Sequence, residues 1–121
     1  MTMLNKEAID AALTAHAQWK KRLQDAIETG QSAFAPDNVR KDNECQFGKW
    51  LYALSDADRK SPMFHKVREL HASFHSAAGE ILRLALAGKK AEALKALEFG
   101  GPYGKATGKL VLALQTWKQQ V

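Results

Sequence analysis

The sequence predicts an all-α protein, an antiparallel four-helix bundle with an additional short helix. Three observations carry this. Apolar residues recur three and four apart through most of the chain, the period of one helix face. No stretch alternates apolar and polar residues as a half-buried strand does. Glycine and proline fall where the helical period breaks. With 121 residues, 45% hydrophobic and 26% charged, the chain has material for one domain with a real core, residues 1–121, and hardly for two.

The first long helix is expected from about Asn5 to Thr29, with Asn5 as N-cap and Gly30 as stop. Ile9, Leu13, His16, Leu23 and Ile27 form its apolar stripe. At about 1.5 Å per residue it is roughly 35 Å long. QSAFAPDNVRKDNE has no clear period and reads as a loop or a loosely wound connection. ECQFGKWLYAL reads as a short helix from about Asn43 to Leu54, with Phe47, Trp50, Leu51 and Leu54 on one face. Gly48 inside it costs about 1 kcal/mol relative to alanine, which points to close packing against a neighbour. SDADRKSP is a turn ending in Ser61 and Pro62, an N-cap followed by proline in the first helical turn. Phe64, Val67, His71, Phe74, Ala78, Ile81 and Ala85 then mark a second long helix ending near Gly88. A further helix follows to about Phe99. Gly100, Gly101, Pro102 and Gly104 break or kink the chain, and Leu110, Leu114 and Trp117 mark the last helix.

Composition narrows the function. No run of about 18 apolar residues exists, so no membrane span is expected. The start, MTMLNKEAIDAAL, lacks the basic-then-apolar build of a secretory signal, and the single cysteine closes no disulfide within the chain. The cytoplasm is the expected location. The net charge of +5 is spread along the sequence, and its densest cluster is only Lys20, Lys21 and Arg22. It reads as solvated helix faces, so neither nucleic acid nor a membrane surface is expected as a partner.

The chemistry resides in four histidines and one cysteine. His71 and His75, in the stretch HASFH, lie four apart, about 40° around a helix and one turn from each other. That is a ready chelating pair. His65 lies about 120° away from His71 and cannot share their focus on a regular helix. His16 sits on the core face of another helix, and Cys45 opens the short one. Three imidazoles and a thiolate from three segments can meet inside the bundle. Zinc suits such a set, and magnesium and calcium, which prefer oxygen, do not. Ligand type leaves iron, cobalt, nickel and copper open. Four protein ligands would leave no position for a substrate, against hydrolytic zinc catalysis. The competing readings are core histidines held by hydrogen bonds in a purely structural bundle, a thiol enzyme with Cys45 as nucleophile and a histidine base, and a haem or di-iron bundle. The glutamates of a di-iron site are missing.

At Cys45 the sequence CQFGKWL (cysteine, two residues, glycine, one residue, tryptophan, an aliphatic) resembles the signature of the chemoreceptor zinc-binding (CZB) family. A histidine in the first long helix, His16, stands 29 residues before the cysteine, and an H-x-x-x-H pair follows, His71 and His75. The resemblance spans about Ala8 to Lys118. It implies a four-helix bundle with zinc held by His16, Cys45, His71 and His75, and gives His65 no ligand role. It implies a non-enzymatic regulatory domain, commonly homodimeric, attached to chemoreceptor signalling regions or diguanylate cyclases. Such a domain senses zinc or oxidants, hypochlorous acid in particular, through the zinc-bound cysteine, and so governs bacterial chemotaxis or cyclic-di-GMP synthesis. The sequence carries no output region of its own, which leaves the target of regulation open between a free-standing protein and a fragment.

Overall fold

Seven helices arise among the residues that the computed structural model describes, 3–43, 45–98 and 100–121. In chain order they are α1 (Lys6–Thr29), α2 (Pro36–Val39), α3 (Gln46–Tyr52), α4 (Asp56–Arg59), α5 (Pro62–Leu86), α6 (Lys90–Leu97) and α7 (Pro102–Gln120). No strand occurs among the described residues, as the all-α expectation requires.

The local signals act where the sequence puts them. The Asn5 side chain accepts a hydrogen bond from the Ala8 amide and starts α1, and Gly30, in the left-handed region at φ 71°, stops it. The Ser61 hydroxyl accepts from the Phe64 amide and Pro62 occupies the first turn of α5. Each such cap satisfies amides that the helix leaves without partners and contributes about 1 kcal/mol.

Four expectations need correction. The connection after α1 contains the one-turn helix α2, and the SDADRKSP turn contains another, α4, so three short helices accompany the main ones rather than one. The helix around Cys45 is shorter than Asn43–Leu54, because Cys45 itself is its N-cap. Pro102 initiates α7, and Gly104 and Gly108 lie inside that helix, since a proline at the first position lacks an amide that the helix would not use. The preceding helix ends at Leu97; Phe99, its expected end, lies outside the described residues.

Helix α5 is the hub, with α1, α2, α4, α6 and α7 packed on it. Its apolar face, including Val67, Phe74, Ala78, Ile81 and Leu82, meets Ile9, Leu23 and Ile27 of α1 and Leu110, Leu114 and Trp117 of α7 in one core. Side chains of this size contribute about 1.5–3 kcal/mol each when fully buried. Leu51 anchors α3 in that core. Trp50 does not fill the interior: it is half-buried, stacks on Phe47 at 5.4 Å, and donates its indole N–H to the Met3 carbonyl at 3.0 Å. Among the described residues, no helix is long and apolar enough to cross a membrane.

Candidate metal centre

Three of the four residues of interest are fixed by the long helices. His16 sits on the buried stripe of α1, between Ala12 and Leu23. His71 and His75 lie one turn apart on the buried stripe of α5. Cys45 comes from the N-terminus of α3, where its sulfur accepts a hydrogen bond from the Gly48 amide at 3.2 Å. One donor atom from each of the four lies within 4.8 Å of every other. His65 is exposed on a different face of α5, as its helical phase requires, and packs edge-on against the Phe64 ring.

Hydrogen bonds orient the rings. His16 Nδ1 lies 2.6 Å from the Ala12 carbonyl and His75 Nδ1 lies 2.8 Å from the Val39 carbonyl. A carbonyl only accepts, so each Nδ1 carries the proton and each Nε2 keeps its lone pair. That is the tautomer a metal-binding histidine needs, held as outer partners of metal ligands usually hold it. His71 Nε2 lies 3.0 Å from His75 Nε2 and 3.4 Å from Cys45 Sγ. A proton on His71 Nε2 donates to the His75 Nε2 lone pair, and a metal ion in that proton's place would join both nitrogens and the sulfur. His71 Nδ1, buried and without a hydrogen-bond partner, shows that this ring is held by its packing and by what its Nε2 faces. Rings pack edge-on around it, with Phe47 at 5.0 Å and His16 at 5.1 Å.

The surroundings keep the imidazoles neutral. Burial, with the neighbouring His75 and His16, lowers His71 to about 2. Burial lowers His16 to about 4, the Ala12 carbonyl partly opposing it and His75 adding to it. His75 is also lowered by burial, opposed by the Val39 carbonyl and Asp42. Without a metal, burial raises the Cys45 thiol, against the pull of the Gly48 amide.

These residues fit zinc. Bonds of about 2.0–2.1 Å to nitrogen and 2.3 Å to sulfur in a tetrahedron set donor-to-donor edges of roughly 3.3–3.6 Å. The observed 3.0 Å and 3.4 Å separations already approach that size. Three neutral nitrogens and one sulfur form a donor set that zinc prefers and that the oxygen-seeking cations do not.

The backbone contributes two parts that side-chain patterns do not reveal. The Ala12 carbonyl stands four residues before His16, the spacing of one helical turn, and is readable on that ground. The Val39 carbonyl belongs to α2 and comes from 36 residues away, with no signal beyond Pro36 opening a helical turn.

Comparison with known proteins agrees with this site. No curated protein and no solved structure matches the chain. A family model, that of the chemoreceptor zinc-binding domain, matches residues 16–82. The match covers more than half of the chain, begins on His16, and contains Cys45, His71 and His75. A zinc-binding family and a clustered three-histidine, one-cysteine site therefore coincide, and the chain belongs to the chemoreceptor zinc-binding domain family.

Proposed function

We propose that residues 1–121 act as one zinc-binding sensory domain, non-enzymatic and cytoplasmic, in which His16, Cys45, His71 and His75 hold the metal. The convergence of four donor atoms within 4.8 Å supports this most directly. Zinc, when bound, keeps the Cys45 sulfur as a thiolate, the nucleophilic form of cysteine. His16 and His75 present Nε2 because the Ala12 and Val39 carbonyls hold their Nδ1 protons. Phe47 and Phe74 exclude water from one side of the cluster.

The four residues are unequal. The histidines belong to helices of 24 and 25 residues, whereas Cys45 caps a helix of seven and is only half-buried. Cys45 is thus the residue that reagents reach and that moves most easily. The thiolate takes up hypochlorous acid with a two-electron transfer: sulfur gains OH and becomes sulfenic acid, and chlorine leaves as chloride. A sulfenic acid is a poorer donor, so α3 loses its tether while the histidines keep theirs. Falling zinc supply frees the same helix. Helix α3 is then the two-state element, and its release reports zinc or oxidant to chemotaxis or cyclic-di-GMP signalling proteins, with the domain working as a homodimer. A thiol enzyme is less well supported, since the His71 Nδ1 that an orienting group would hold has no partner.

Metal analysis before and after one equivalent of hypochlorous acid tests the reading. About one zinc per chain is expected at first, with loss or weakening after oxidation. Zinc content unchanged in Cys45→Ala combined with His71→Ala would refute it.

A further inference from the structure

Cys45 is not sealed. A cleft of about 460 Å³ between α1, α2 and the start of α3 has Cys45 and His75 in its lining. Of the clefts described, it is the one that reaches the donor cluster. Its outer walls are two aromatic rings, Trp19 of α1 and Phe34 of the following loop, with centroids 5.1 Å apart. The Arg22 guanidinium lies over both, 5.0 Å from Trp19 and 5.3 Å from Phe34. This cation–π contact fixes the positive charge at the mouth of the cleft. Lys41 lines the same cleft, and the Asp42 carboxylate acts electrostatically on Cys45 and His75 at its inner end. A cation held at the entrance of a cleft with low-dielectric walls draws in solutes of the opposite sign.

On the reading that Cys45 is the reactive ligand, we propose that this cleft is the route by which solutes reach it, and that Arg22, clamped on Trp19 and Phe34, makes the route selective for anions. The substrate class is small anionic electrophiles that take a thiolate, such as the conjugate bases of weak-acid oxidants and anionic disulfides. Neutral reagents of the same size use the route without that advantage. The closed aromatic pair limits the size of both.

Two aromatic disulfide probes, each compared with itself between parent and variant, separate charge from access. One is dithiobis(nitrobenzoate), a dianion, and the other is neutral 4,4′-dithiodipyridine. In each reaction the Cys45 thiolate bonds one sulfur of the probe, the S–S bond breaks, and the other half leaves as a thiolate whose absorbance gives the rate. With zinc-loaded full-length protein at low ionic strength, Arg22→Gln should slow the dianion about three-fold and Arg22→Glu about ten-fold, for a change of one and of two unit charges at the mouth of the cleft. The neutral probe should change less than about two-fold, and the difference should vanish at about 0.5 M salt. Lys105→Gln, an exposed cation outside the cleft, should change neither rate. Equal effects on both probes, no effect on either, a difference that survives high salt, or a Cys45 that neither probe reaches would overturn the proposal. Zinc affinity measured in the same samples judges the ligand assignment separately: an affinity unchanged after complete labelling would count against Cys45 as a ligand, while the ratio of the two rates would still decide the role of Arg22.

Discussion

Gly48→Ala should weaken zinc binding although it improves the helix. A methyl group at this position would overlap the Asp42 carbonyl oxygen and stand 2.9 Å from the Asp42 carbonyl carbon and 3.1 Å from Asn43 Cα. All three are backbone atoms, so no side chain can swing aside. Restoring contact distances of about 3.5 Å needs a shift on the order of 1 Å between α3 and residues 42–43. Cys45 stands at the junction of those two pieces, and its Sγ must follow one of them. Metal–ligand distances tolerate about ±0.2 Å, so the shift exceeds the tolerance several-fold. Structural zinc contributes about 10–16 kcal/mol in small zinc domains, so one ligand in four accounts for roughly 3 kcal/mol, or about a 100-fold loss of affinity. The gain in helix propensity, about 1 kcal/mol, does not offset it. Competition with a chromophoric chelator reads the affinity, and circular dichroism verifies that the fold remains. Gly108→Ala is the control: it lies within α7 with nothing within 4 Å of the added carbon, and should leave zinc binding unchanged. Zinc affinity of Gly48→Ala within about three-fold of the parent would refute the reasoning.

Two further outcomes are expected. The metal-free protein should lose stability as pH falls below 6.5, because the unfolded chain takes up protons there that buried His16 and His71, lowered to about 4 and about 2, refuse. Between pH 7 and pH 5 each contributes about 2 kcal/mol of loss, measured as a falling urea midpoint, and a flat midpoint would contradict the burial of neutral rings. Gly79→Ala should loosen α2, since the added carbon would overlap Arg40 Cγ and come 3.1 Å from the Pro36 carbonyl oxygen, displacing the side chain that bonds Glu80 at 3.0 Å. The Val39 carbonyl then drifts from His75, zinc affinity falls about ten-fold, and the protected His75 Nδ1–H proton signal disappears; a retained signal would contradict the role given to α2.

Long-range periodicity makes the long helices legible. The stripe from Ile9 to Ile27 and the stripe from Phe64 to Ala85 each span several turns, and Asn5, Gly30, Ser61 and Pro62 mark their ends by local chemistry. The donor cluster is legible for the same reason: a histidine on a core stripe has a known direction, and two such stripes that pack together bring His16 to His71 and His75. One-turn helices carry no period, so α2 and α4 do not declare themselves. The Val39 carbonyl, supplied by α2, is invisible for a further reason, since every residue has a carbonyl and only the packing of α2 on α5 selects this one. Trp50 lies farther out than its pattern suggests because a helical phase gives a direction and not a depth: it points toward the bundle, but α3 lies at the rim, where the indole N–H finds the Met3 carbonyl.

The rim position of Trp50 gives the protein an optical signature of its own. Its ring centroid lies 5.9 Å from that of Trp117, with the planes tilted by 59°. Two indoles so close and so inclined couple their electronic transitions, and coupled transitions produce a paired band in circular dichroism that neither ring yields alone. One partner rides on α3 and the other on α7, so the band measures the distance between those helices. Any displacement of the Cys45 helix would be recorded in the spectrum without a label.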